Sequence, residues 1–516
     1  MRNVALMIGI ASLVPGVAIA QVPDPDFGND GFALIDLSGA DEQFFDMVVQ
    51  PDGKVVAAGS AYGFSNGMGF VCRFTLNGNP DPTFSADGAY TSQFVDSDTE
   101  YRGVAMQPDG KVVLVGTITS WDFGTTTAFV LRLNPNGSPD GSFGTGGYAY
   151  MSGPAFTEFR EVAIDDDGSV VAVGMHYDQG GSQLGDVLVA RFTSAGDPDA
   201  AFATDGVFLW DNSSYWDEVN AVRIATDGSI VCAAGTSPSM LGLEPVLLRL
   251  TAAGTLDPAF GAGTGYVELG GLGPAMDLDV MGDGRVVTVI SRRDAGGARF
   301  MEVMRTQPEG SIDVAFGNNG GVVVSGITGD CSWAGGLNVD DSGHILVGGS
   351  VQTSCAGIGN FILAALQPDG TTNNFFGTDG YYRTTNAGVN VFYAPDAPAL
   401  AVADGRVLLA SVVSDGANDG VVFAVNGIAL SIGPDIHPEV LVLYPQPADA
   451  LFWFPADEGA VIDHIEIHDV VGRRVIVLEN HLAQSPIGLH QLPSGSYLVQ
   501  AQMGHKRYAG KLIVQL

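Results

Sequence analysis

Seven copies of one phrase occupy residues 24–427 of this chain, at spacings of 56 to 60 residues. Each copy carries three landmarks in fixed order. The first is D-x-x-F, with its aromatic at Phe27, Phe84, Phe143, Phe202, Phe260, Phe316 and Phe376, and with Asn373 replacing the Asp in the last copy. The second is a turn dipeptide, Asp52-Gly53 in the first copy and Asp404-Gly405 in the last, with Ser342-Gly343 replacing it in the sixth. The third is an apolar run ending five residues before a glycine, from Gly78 to Gly427. A period of this length, sustained over seven cycles, implies one body assembled from copies of one supersecondary unit. It overrides the three or four domains, at roughly 150 residues each, that length alone suggests.

The first unit reads as four short strands. Phe32–Leu37 and Phe44–Gln50 are apolar runs, Pro51-Asp52-Gly53 turns the chain, and Lys54–Ala58 and Phe70–Leu76 follow. Asp-Gly between apolar runs is a hairpin signal, because the tight turn needs positive φ and glycine adopts it without steric cost. No segment holds convincing helical periodicity, so the fold class is all-β. A four-stranded unit repeated seven times predicts a seven-bladed β-propeller, with an open β-solenoid as the alternative. Because strands alternate in direction, the Asp-Gly turns and the D-x-x-F connections emerge on one face. The variable loops emerge on the other.

The formal net charge is −36. Residues 21–439 hold 16 basic and 51 acidic side chains (−35), and residues 440–516 hold 5 and 7 (−2). So acidic a surface repels phosphate backbones, which excludes nucleic acid as a partner. The charge suits solubility in a salty medium, and alternatively weak, distributed binding of divalent cations. Residues 1–20 read as a signal peptide: Arg2, the apolar stretch Val4–Val14, then Ala18-Ile19-Ala20 and cleavage between Ala20 and Gln21. No second apolar stretch follows that would span a membrane, so the mature chain is expected to be exported, without a transmembrane segment and monomeric.

Of four cysteines, Cys72 and Cys232 sit in apolar strand patterns and read as small buried hydrophobes. Cys331 and Cys355 fall in loops of the sixth unit, on one face of one blade. In an oxidising compartment they are expected to form a disulfide, worth about 3 kcal/mol by loop-entropy arguments.

An Arg stands five residues before the landmark glycine in five units (Arg73, Arg132, Arg191, Arg249, Arg305), with Ala365 in the sixth and Val422 in the seventh. One reading is a ring of charged sites. The other is structural: Asp caps its own turn, Phe fills the gap between blades, and Arg pairs with a nearby carboxylate. Together these landmarks resemble the delta-60-repeat family, whose units read D-x-S-F-G, Q-P-D-G-K and R-x-x-x-x-G. Gln50-Pro-Asp-Gly-Lys54, Gln107-Pro-Asp-Gly-Lys111 and Asp140-Gly-Ser-Phe-Gly144 match closely, whereas Met281-Gly-Asp-Gly-Arg285 and Asp341-Ser-Gly343 drift. The resemblance implies a β-propeller in secreted bacterial proteins and transfers no catalytic motif.

The sequence contains no H-E-x-x-H or Cys/His metal pattern, no nucleophile elbow and no phosphate-cradling loop. Asp165-Asp166-Asp167-Gly168 and Asp340-Asp341-Ser342-Gly343 lack the alternating spacing of a calcium loop and read as hairpin turns. Calcium therefore stays an open question, and no cofactor is expected. Trp121 and the pair Tyr215-Trp216 fall in variable-face loops beside Asp122 and Asp217. Aromatic platforms beside carboxylates suit sugar rings, which makes these the candidate ligand contacts. Paired carboxylates could also run glycoside hydrolysis at a separation of roughly 5 to 9 Å.

After residue 430 the rhythm stops. Residues 431–439 read as a linker, and residues 440–516 resemble the C-terminal sorting domain of type IX secretion substrates. The match rests on Tyr444-Pro445-Gln446-Pro447, Ile465-Glu-Ile-His-Asp469 leading into Gly472-Arg473, Leu492-Pro-Ser-Gly495-Ser-Tyr497-Leu-Val499 and Lys511-Leu-Ile-Val514. Gln446 stands where that family usually has Asn. The resemblance implies a small β-sandwich, recognition by the type IX machinery at the outer membrane, and release or attachment at the cell surface. The expected function is a secreted or cell-surface non-enzymatic binding or adhesion module, with polysaccharide or a surface protein as partner. The alternatives are a polysaccharide-active enzyme using carboxylates in the propeller channel, and a structural surface-layer component.

Overall fold

The structure is a computed structural model. It describes residues 22–37, 39–63, 66–122, 124–151, 156–177, 185–212, 216–237, 242–324, 331–352, 359–374, 376–377, 379–384, 390–391, 398–403, 406–414, 418–426, 439–440, 451–452, 461–468, 474–482, 485–489, 492–503 and 506–514. The apolar runs form strands and the Asp-Gly pairs turn them, as the periodicity predicts. Blade one is the meander Asp41–Val49, Val55–Tyr62, Met68–Phe74 and Ala89–Ser92. Four more blades repeat it as separate four-stranded sheets. Blades six and seven are joined, because Asn390–Val391 pairs with both Gly359–Leu366 and Arg406–Ser414. The first strands of the blades make a ring, each lying against the first strand of the next.

The repeat and the blade are offset by one strand. The first run of each repeat is not the inner strand of its own blade but the outermost strand of the blade before. Phe32–Ile35 pairs with Asn418–Asn426 of the last repeat, Phe32 opposite Phe423 and Ile35 opposite Gly420. The N-terminal strand thus closes the ring, replacing an exposed sheet edge with a paired one.

Each repeat landmark takes part in a clip between consecutive blades. In blade two, Arg132 is buried, its Nε donates to Asp140 Oδ2 at 2.8 Å, and its guanidinium lies 4.5 Å above the Phe143 ring. Its Nη1 reaches the Ser194 carbonyl of blade three at 2.7 Å. Asp140 Oδ1 caps its own turn by accepting from Ser142 N at 3.0 Å. Phe143 is fully buried between the blades and rests on Gly196, where a Cβ would stand 3.1 Å from the ring and 2.7 Å from Gly144 N. The same ion pair joins Arg73 to Asp81, Arg249 to Asp257 and Arg305 to Asp313. These residues therefore hold the ring together.

Two repeats lack the arginine, and the seventh corrects the sequence register. There Val407 pairs with Val425, as Val55 pairs with Phe74, so the equivalent of Arg73 is Ala424 rather than Val422. The clip is rebuilt from another position. Arg406, which follows the turn where Lys54 stands in blade one, reaches Asp24 Oδ2 at 2.6 Å and the Leu76 carbonyl at 2.7 Å.

In the tail, a five-stranded sheet with Gly495–Met503 at its centre accompanies a two-stranded one, Leu451–Phe452 with Ile487–Gly488. Ile465, Ile467, Ile487, Leu489, Val499 and Leu512 form one core, the two-sided burial expected of a sandwich. Tyr497 is buried and its hydroxyl donates to the Pro493 carbonyl at 2.8 Å, a positioning bond beside Gly495. Tyr444, Pro445, Pro447, Gly472 and Arg473 lie outside the described residues, as do Ala20 and Gln21. No helix among the described residues is long and apolar enough to cross a membrane.

Candidate functional site at the channel mouth

The inner strand of each of the first six blades carries a β-bulge, between Tyr101 and Gly103 in blade two and between Phe159 and Glu161 in blade three. A bulge re-aims the side chains around it and leaves a residue unpaired. Here it turns equivalent positions of successive blades toward one another. The residue two before the bulged one and the bulged residue itself are Glu100 and Arg102, Glu158 and Arg160, and Glu218 and Asn220 in blades two, three and four. Arg102 Nε donates to Glu100 at 2.7 Å and Arg160 Nε to Glu158 at 2.8 Å. Arg160 also spans the junction to Asn220 at 3.1 Å and to Glu218 at 3.8 Å.

Aromatic side chains edge this polar crescent. The Tyr62 hydroxyl donates to Glu100, and burial, followed by the charge of Glu100, raises the Tyr62 pKa. The Phe45 ring lies 4.6 Å beneath the Arg102 guanidinium. Trp216 packs on Tyr177 at 5.6 Å and donates to Glu218 at 3.2 Å. The opposite side of the ring is built differently. Blade five has Pro274 and Met276 at these positions, and blade six has Gly335 and Gly336 at its bulge. A Cβ on either glycine would stand 2.3 Å from Pro398 O or Leu400 Cβ of blade seven, so that side closes backbone against backbone.

One layer further along the inner strands, toward the Asp-Gly face, carboxylates tie the blades together. Asp46 accepts from Met47 N at 2.8 Å and, across the junction, from Val104 N at 2.7 Å. Asp277 does the same with Leu278 N and Leu337 N, both at 2.8 Å, and holds Arg223 at 2.9 Å. Burial pushes Asp46 up to about 6 against the pull of those N–H donors and Arg223. Burial, then the charge of Asp46, raises Glu161 well above the carboxylate range. Two convergent carboxylates of this kind would serve an enzyme. Both oxygens of Asp46 and of Asp277, however, are already committed to backbone N–H groups.

The aromatics singled out by sequence sort unevenly. Trp216 belongs to the crescent. Trp121 is 48% exposed and donates to Asp98 at 2.9 Å on its own blade. Tyr215 lies outside the described residues. The carboxylate partners differ from the sequence neighbours: Glu218 and Asp98 take the places expected for Asp217 and Asp122. Asp217 is buried and accepts from Asn212 N at 2.9 Å and Thr236 Oγ1 at 2.5 Å. One of its oxygens lies within 4.8 Å of one oxygen each of Asp186 and Asp211, the cluster among the described residues with metal-ligand spacing. The two candidate calcium loops are hairpin turns. Asp165 and Asp167 pair with Arg191, and Asp340 pairs with His344. Cys331 is disulfide-bonded while Cys72 and Cys232 are free and buried. Cys355 lies outside the described residues, so the Cys331–Cys355 bridge is a proposal. Non-reducing peptide mapping should recover those two residues in one linked peptide, and a thiol-labelled Cys355 would exclude it.

Fold and site define a seven-bladed propeller with a polar crescent at one channel mouth. Comparison with known proteins agrees. Residues 50–84 and 107–143 match the family described as "Domain of unknown function (DUF5122) beta-propeller", and residues 442–515 match the "Secretion system C-terminal sorting domain". The chain carries DUF5122 β-propeller repeats, which are the delta-60 repeats, and it ends in a type IX sorting domain that directs it to the cell surface or beyond. No curated protein matches it. Among solved structures it is similar to a protein of unknown function from Dyadobacter fermentans, at 12% identity over 80% of this chain and 99% of that one, TM-score 0.42. It is also similar to the acylaminoacyl peptidase of Pyrococcus horikoshii, at 10% identity over 73% and 52%, TM-score 0.38. A third likeness is the β-propeller domain of the Trilobed protease from Pyrococcus furiosus, at 9% identity over 74% and 96%, TM-score 0.38.

Proposed function

We propose that the exported propeller is a non-enzymatic binding module that holds polysaccharide at its variable-face channel mouth. One observation carries the reading: the crescent concentrates charged and amide groups beside Trp216, Tyr177 and Tyr62 on one side of the ring, while the other side is closed by apolar and glycine contacts. A sugar ring needs a flat apolar surface for its C–H face and donors and acceptors for its hydroxyls, and this mouth offers both. The charge of the propeller disfavours polyanionic polymers and favours neutral ones.

The test is retention of the secreted chain on a panel of insoluble neutral polysaccharides, with calcium and with chelator. The expected result is retention on one polymer, reduced about tenfold or more by Trp216→Ala and by Arg160→Ala, with both variants melting as the parent does. Dependence on calcium would implicate the Asp186, Asp211 and Asp217 cluster. Release of reducing ends into the supernatant, lost in Glu161→Gln, would establish the enzymatic alternative instead. No retention on any polymer leaves a protein partner or a surface-layer role.

A further inference from the structure

In blades three and four, a short side chain near the start of the inner strand accepts hydrogen bonds at the blade junction. Thr157 Oγ1 accepts from Ala128 N at 3.1 Å. Asp217, at the same position of blade four, has both oxygens engaged. Blades two and six have Thr99 and Ser332 there, also buried, and the neutral Thr99 hydroxyl has no hydrogen-bond partner among the described residues. The junction that closes the ring differs. Its residue is Glu42, which is 0% exposed. Glu42 Oε1 accepts from Leu37 N at 2.8 Å, so it holds the segment leaving the closing strand Phe32–Ile35. Glu42 Oε2 has no hydrogen-bond partner among the described residues. An unpaired, fully buried carboxylate oxygen is costly when the group is charged and tolerable when it carries a proton.

The groups facing Glu42 are acids. Asp36 follows the closing strand and Asp419 lies on Asn418–Asn426, the strand that pairs with it. The Cys72 thiol approaches from the third strand of blade one. On its own strand, Asp41 is already accepting from Asn418 N at 3.3 Å. Burial, and then the charges of Asp419 and Asp36, push Glu42 up to about 7 against the pull of the Leu37 N–H. The opposite end of the same seam is anchored by the Arg406–Asp24 pair.

We propose that the ring-closing seam is a proton-dependent latch, in which protonated Glu42 holds the N-terminal strand closed and its ionisation loosens that strand alone. The sign follows from linkage. A carboxyl whose folded pKa is raised binds more protons folded than unfolded, so its contribution weakens as pH rises from about 4.5 to about 7 and stays weakened above. Ionised, Glu42 adds a third negative charge beside Asp36 and Asp419 and leaves Oε2 unpaired.

Hydrogen exchange of the full secreted chain at pH 5.5 and 8.5, corrected for intrinsic rates, tests this. Protection of residues 32–35 and 420–423 should fall about tenfold at the higher pH, while the outer strand Tyr148–Tyr150 keeps its protection. Glu42→Gln should abolish the difference. Asp36→Asn, which leaves Glu42 in place, should lower the Glu42 pKa by less than about one unit and so shift the transition to lower pH. An unchanged pH dependence in Glu42→Gln, or equal loosening of all outer strands, would overturn the proposal.

Discussion

Arg132→Ala should destabilise the propeller by about 3 kcal/mol, a large fraction of the stability of a domain. The guanidinium is buried, bonds Asp140, covers Phe143 and reaches the Ser194 carbonyl of the next blade. Its removal leaves Asp140 with Lys111, 3.2 Å away, as its remaining cation. The cost comes mainly from the carboxylate left behind, so Arg132→Ala/Asp140→Ala together should cost less than the sum of the two single changes. Chemical denaturation of the four proteins reads this directly, and strict additivity would mean that the pair is not coupled. There is an acid signature as well. Burial would raise Asp140, but the bonds from Ser142, Lys111 and Arg132 hold it well below the ordinary carboxylate range. Its contribution is therefore present above about pH 4 and lost as the pH falls further, and Arg132→Ala should flatten that acid limb.

The clip explains why the fold was legible and the site was not. Asp-Gly turns, apolar runs and the D-x-x-F cap act over a few residues, so they mark the sequence wherever they act. The offset of repeat from blade leaves no such mark, because pairing of Phe32 with Phe423 is set by ring closure across the whole propeller. The same limit produced the register error at Val422: counting to a landmark glycine cannot replace the ladder that pairs Val407 with Val425. Arg406 carries no such mark, because the Lys and Arg positions look unrelated in sequence although Lys54 and Arg73 both reach Asp81.

The crescent shows the limit most clearly. Glu100 and Arg102, Glu158 and Arg160, Glu218 and Asn220 each read as alternating polar residues on a half-exposed strand. They come together in one mouth only because bulges on three blades turn them toward one another. Superposing the repeats would have shown E-Y-R, E-F-R and E-V-N at one position, a signal absent from the other four blades. Trp216 stands out in the sequence because an aromatic beside acids is a local signal. Its true partner, Glu218, is two residues away rather than adjacent because side chains alternate along a strand.

Phe143→Ala should cost about 4 kcal/mol, the range for emptying a fully buried aromatic site. The ring belongs to neither blade alone: Val113 and Val130 of blade two and Leu188 and Phe192 of blade three share its cluster. The site can collapse little, because Gly196 already brings the neighbouring backbone against the ring, and its φ of +89° suits glycine. Phe143→Leu should recover part of the loss, and Gly196→Ala should add strain even with the ring intact. Denaturant melts with unchanged m-values would place the effect in packing rather than in the unfolded chain. A loss under about 1 kcal/mol would mean the blades can slide together, and a mouth built across blades two to four would then lack a rigid frame. A large loss accompanied by weaker polymer retention, with Arg160 and Trp216 untouched, would tie the repeated structural clip to the unrepeated site it positions.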